Sequence, residues 1–203
     1  MLIAEDLLLL LTDDQDGKFE VDGTALNLAL AGACVVELAM DGRVDVAGEG
    51  EQVKKGRLVV RDDTRVNDPL LDDVLARCAE RAGAKPQDVL GKIGKDVRAG
   101  VLDRLIERGI LRREEGRVLG IFPITRWPAV DSEHEHEVLD RLEAALVNGE
   151  EPDRRTASLA ALMSAVDAAH KVVPAPDRKA VKKRAKEIRE SEWAADAVGK
   201  AIE

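Results

Sequence analysis

The chain has no tyrosine, two phenylalanines and two tryptophans, so aromatics make up 2% of its 203 residues. Its core must therefore be assembled from Leu, Val, Ile and Ala. Cysteine is almost as scarce. Cys34 and Cys78 lie far apart inside apolar helical patterns, which excludes a disulfide framework or a paired-cysteine zinc site and reads as two buried reduced thiols. His134 and His136 sit two apart in SEHEHE, where a helix would point them to different sides, so they read as surface histidines and no metal site is expected. His170, late in a helical pattern, reads as a C-terminal dipole partner. Positive charge is also short: 31 bases against 40 acids give a formal charge of -9, which disfavours bulk attraction to nucleic acid or anionic bilayers but leaves room for a local basic pocket. Long apolar runs are missing too. The run at 7–11 has Glu5 and Asp6 before it and Asp13 and Asp14 after it, and nothing approaches the ~20 apolar residues of a spanning helix. A cytoplasmic protein is expected. No glycine-rich phosphate loop, nucleophile elbow or cysteine–histidine arrangement is present, so neither an enzyme nor a cofactor is expected.

What is present is a strong helical signal. With 45% hydrophobic residues the chain can bury a sizeable core. Apolar spacing predicts helices over residues 1–11, 24–40, 70–82, 87–93, 95–108, 132–147 and from 153 to Pro174, with a basic helical segment over 177–202. Gly94 is read as the break between the fourth and fifth of these. Two helix-then-hairpin units follow the same order, one after residue 40 and one after Gly109. In the second, a strand begins at Ile110 and Leu111, turns near Glu115–Gly116 and continues over 117–121, while FPITRWP (122–128) reads as irregular. The expected fold is mainly α, a single compact helical domain over 1–203 with one or two β-hairpins, its core at about 2–175.

Two cationic features bear on function. Lys95 and Arg98, spaced i, i+3, share a helical face just after Gly94, where a new helix would offer free N–H groups to an anion. A lysine point charge and an arginine fork can together hold a phosphate. The run from Arg178 to Arg189 carries seven bases and one acid and reads first as a solvated helix face. A second reading makes residues 98–108 the recognition helix of a winged DNA-binding module, using Arg98, Arg104, Arg108, Arg112 and Arg113 with a wing at 114–117. The interleaved Asp103, Glu107, Glu114 and Glu115 oppose it. A helical protein-interaction scaffold is the third.

The motifs EDLLLL (5–10), GACVVELAMDGRV (32–44), DPLLDDVL (68–75), RLIERGIL (104–111) and DRR (153–155) occur in an order that resembles the Golgi phosphoprotein 3 family. The resemblance covers about residues 2–174. It implies a mainly helical peripheral membrane protein that binds phosphatidylinositol 4-phosphate, serves as an adaptor and self-associates through the hairpin, here 110–121. The family's paired headgroup arginines fall on Lys95 and Arg98. Its tryptophan falls on or near Asp22, and its remaining arginine on Ala31, so half of that pocket chemistry is replaced by an acid and a methyl group. Phe19 and Val21 are the candidates for a membrane-contacting loop. The acidic, Ala/Val/Asp/Arg-rich composition fits a bacterial cytoplasmic member, peripheral on the cytoplasmic face of the membrane.

Overall fold

The computed structural model describes residues 1–13, 16–118, 122–190, 194–196 and 200. Its elements run α1 (Ile3–Leu10), α2 (Gly23–Met40), β1 (Val44–Val46), β2 (Leu58–Val60), α3 (Pro69–Glu80), α4 (Pro86–Glu107), β3 (Glu114–Val118), β4 (Phe122–Arg126), α5 (Glu133–Leu146), α6 (Arg154–Ala165), α7 (Ala169–Val172) and α8 (Arg178–Arg189). This is the mainly α fold expected, with two antiparallel strand pairs. Four helices begin at an aspartate whose carboxylate accepts from backbone N–H groups of the first turn: Asp22, Asp68, Asp153 and Asp177.

Helix α2 lies at the centre, packed against α1, α3, α4 and α6. Its small residues Ala29, Ala31, Gly32 and Ala33 are buried, so neighbouring backbones can approach it closely. Over 18 residues its mean hydropathy is 1.6, which meets the length and hydropathy of a membrane span and corrects the expectation that no segment comes near it. Two-thirds of it is buried within the fold, as a core helix would be. Cys34 and Cys78 are both buried free thiols, and burial pushes the Cys78 thiol up to about 12.

Three boundaries differ from the sequence expectation. Helix α4 is one continuous helix of 22 residues, so Gly94 does not break it. Gly94 is instead the crossing point with α2: a Cβ there would lie 2.7 Å from the carbonyl oxygen of Asn27. Glycine is required by contact, and the local signal that suggested a break came from tertiary packing. The helix expected from 153 to Pro174 divides into α6 and α7 at Asp167, which has a left-handed φ of 56°. The second hairpin is displaced. Ile110 and Leu111 precede it, Leu111 forming an isolated bridge with Ala129, and the strands are 114–118 and 122–126 with Glu114 opposite Arg126. FPITR is thus a strand; Pro123 is tolerated because a two-stranded ladder leaves one side of each strand without a partner to serve. The 119–121 part of the expected hairpin, and most of 191–203, lie outside the described residues.

Helix α1 is wholly buried, including Glu5 at 0% and Asp6 at 2% exposure. Each acid is satisfied by residues distant in sequence. Glu5 accepts from Leu2 N–H at 2.6 Å, from Arg104 Nε at 2.9 Å and from Arg108 Nη1 at 3.5 Å, and Arg104 also reaches Asp68 at 2.9 Å. Asp6 accepts from Arg155 Nη2 at 2.9 Å and lies 2.8 Å from His134 Nε2. Arg155 also donates to Glu37 at 3.2 Å, whose second oxygen accepts from Ile3 N–H at 2.6 Å. His134 is therefore a partner of a buried acid, which its surface-like SEHEHE setting concealed. His170 lies in the last turn of α7, where the sequence expected it near a helix end, and also sits 3.6 Å from Asp167.

Candidate functional site

Residues 12–22 leave α1 and return to α2 as a short excursion. Thr12 bridges Phe19, Asp13 N–H donates to Lys18 O at 2.7 Å, and Glu20 N–H donates to Leu11 O at 2.9 Å. Gly17 clamps this excursion to the segment after β4: Trp127 N–H donates to Gly17 O at 3.0 Å, and a Cβ on Gly17 would lie 2.5 Å from the backbone of Trp127 and Pro128. Only glycine fits there, and it also holds a left-handed φ of 59°. The result is an aromatic shelf, with the Phe19 and Trp127 rings stacked at 5.1 Å and 26°.

Arg98, from the middle of α4, lays its guanidinium on this shelf, 4.7 Å from the Phe19 centroid and 5.9 Å from that of Trp127. Burial pushes its pKa below the ordinary value. No carboxylate lies within ion-pair distance of it among the described residues. A partly desolvated cation is thus held by two ring faces, with its N–H donors unspent. Its Nη1 lies beside Gly23, 3.4 Å from where a Cβ would stand, at the start of α2.

Lys95 is exposed and approaches the same end of α2 from another side. It lines a groove of about 650 Å³ together with Thr24, Asn27, Lys92 and Asp96. Asn27 Oδ1 is buried there without a hydrogen-bond partner. Asp96 is drawn away by Arg77 at 2.8 Å. Because α4 is continuous, Lys95 and Arg98 do not sit at a helix N-terminus, and the free N–H groups expected beside them are absent. Any anion they hold is held by side chains.

Asp22 caps α2, accepting from Thr24 N–H at 2.9 Å and Ala25 N–H at 3.1 Å. A carboxylate therefore already occupies the amides an anion could have used. Ala31 is fully buried. Phe19 and Val21 are half-buried and packed against the core. Sequence reasoning does not find Trp127 because it joins Phe19 only through the Gly17 clamp; the single hint is that two of the four aromatics, Phe122 and Trp127, stand in one proline-bounded segment.

The remaining bases of the winged-helix reading are occupied within the chain. Arg104 and Arg108 bind Glu5, Arg112 binds Glu114 at 2.9 Å, and Arg113 binds Glu115 at 2.8 Å. On the basic run, α8 buries Val181, Ala185 and Ile188 while its lysines stay exposed, as a solvated face would.

The motif residues of the sequence also find their place. EDLLLL, the glutamate of VVELAM, DPLLDDVL, RLIERGIL and DRR supply Glu5, Asp6, Glu37, Asp68, Arg104, Arg108 and Arg155, which with His134 form the ion lattice. The family model described as Golgi phosphoprotein 3 (GPP34) matches residues 3–203, essentially the whole chain, and the protein belongs to that family.

Proposed function

We propose that the protein is a non-catalytic peripheral membrane protein that binds the phosphate of an anionic phospholipid headgroup through Arg98 and Lys95. The observation that carries this reading is the Arg98 guanidinium, half-buried on the Phe19–Trp127 shelf with no carboxylate partner among the described residues. A phosphate would fill the donors that the rings leave free. Lys95 adds a mobile second charge from the neighbouring groove. Family membership directs attention to phosphatidylinositol 4-phosphate, with an adaptor role at the cytoplasmic face of a membrane. The edges of Phe19 and Val21, joined by Trp127, form the apolar border that would meet the bilayer. Self-association through 110–121 belongs to the same reading, since the two-stranded β3–β4 ladder leaves strand edges open to pairing.

Flotation with phosphatidylcholine vesicles, with and without phosphatidylinositol 4-phosphate or phosphatidylglycerol, tests this. Binding should require the anionic lipid and fall at least ~10-fold in the Lys95→Ala, Arg98→Ala double variant, charge-assisted contacts being worth ~1.5–3 kcal/mol each. An Arg112→Ala, Arg113→Ala control should bind as the parent does. Equal binding by parent and Lys95/Arg98 variant would overturn the site.

A further inference from the structure

A second cationic cluster lies at the other end of the first half of α4. A cavity of about 350 Å³ opens between the β1–β2 turn and the start of α4, lined by Lys54, Lys55, Arg57, Lys85 and Lys200 against one carboxylate, Asp196. In a chain with net charge -9 such a grouping runs against the average. Lys55 is paired with Glu49 at 2.5 Å and Lys200 with Asp196. Lys54, Arg57 and Lys85 have no ion pair among the described residues.

The backbone holds these charges together. Ala47 N–H donates to Arg57 O at 2.7 Å and Gly56 N–H to Ala47 O at 2.8 Å, closing the turn that carries Lys54 and Arg57. Leu58 N–H donates to Ala84 O at 3.0 Å, and Gly83 N–H to Leu58 O at 2.8 Å, which clips the start of β2 to the residues just before Lys85. Like charges fixed side by side repel one another, and an anion among them removes the repulsion while gaining an arginine fork and two ammonium groups. Gln87, a residue with a neutral donor, also lines the cavity.

We infer that this cavity is a phosphate-binding site separate from Arg98, taking a phosphate group carried by an anionic lipid headgroup or by a soluble phosphate ester. Lys54, Arg57 and Lys85 line this cavity and not the groove of Lys95, so it stands whether or not Arg98 binds lipid. The two sites are nevertheless on one surface. Gln87 and Lys200 line both this cavity and the groove of Lys95, where Asp88 and Asp96 stand among the bases.

Titration with inorganic phosphate at constant ionic strength, followed by amide chemical shifts, reads the site directly. Saturable shifts are expected at Gly56, Arg57 and Gln87. The Arg57→Gln, Lys85→Gln variant, checked for an unchanged melting curve, should bind roughly 30-fold more weakly, about 5-fold for each base removed, whereas Arg98→Ala should leave these shifts intact. Flotation of the same variant then identifies the source. Weakened binding to phosphatidylglycerol vesicles assigns a lipid headgroup; unchanged flotation with lost phosphate binding assigns a soluble ester. Absence of shifts at those amides, or shifts that survive in the double variant, would overturn the inference. Failure of the Arg98 reading shows separately, as flotation indifferent to Lys95 and Arg98.

Discussion

An arginine between carboxylates and an arginine on bare rings differ in what they leave available. Arg155 spends its fork on Asp6 and Glu37 and fastens three helices. Arg98 has rings on one side and no carboxylate partner among the described residues, so its charge is not spent within them. Single residues also govern the acid response. Asp153 caps α6, and hydrogen bonding from Thr156 N–H, ahead of the other causes, holds its carboxyl below the usual 3.8. A lowered folded-state pKa means that the cap contributes fully above about pH 4 and loses its contribution as pH falls through the lowered value. Asp153→Ala should cost ~1 kcal/mol at neutral pH, with the gap to the parent narrowing in melts near pH 3. At this scale the sequence marked Lys95 and Arg98 as candidates by type and spacing, and Phe19 through the family resemblance. It could not disclose Trp127 or the pairing of His134 with Asp6, because neither partnership is local.

At the scale of elements, α4 shows how tertiary contact overrides local propensity. Gly94 reads as a helix break because glycine weakens helices, yet it sits mid-helix so that α2 and α4 can touch. Gly94→Ala should therefore destabilise by ~1–3 kcal/mol through overpacking against Asn27, measured by urea unfolding. Gly91, three residues earlier, would meet nothing within 4 Å, and Gly91→Ala should stabilise by up to ~1 kcal/mol. Opposite signs at two glycines of one helix would establish that the crossing, and not helix propensity, sets the requirement. The helices themselves were legible because their apolar periods are long. The second hairpin lies further along than the sequence suggests because Pro123, which reads as ending a strand, is compatible with a two-stranded ladder.

At the scale of the whole molecule, the ion lattice joins the first helix to the fourth, fifth and sixth. The short motifs that marked the family in sequence belong mainly to this lattice, so they announced the fold more clearly than the ligand. Removing Arg155 leaves Asp6 buried with His134 alone. Arg155→Ala should cost about 3 kcal/mol, the lower end for a buried pair because the arginine is one-third exposed, and lower the melting temperature by roughly 10 °C. The burial of α1 has a further consequence in time. Glu5 and Asp6 leave the ribosome well ahead of their partners, and Asp6 meets Arg155 only after 149 more residues have been made. At ~5–20 residues per second the leucine-rich helix waits roughly 10–30 s for the groups that neutralise it. During synthesis α1 can pack on α2 early, but its two acids stay without their arginines until α4 and α6 have been made, so completion of the lattice is a late event.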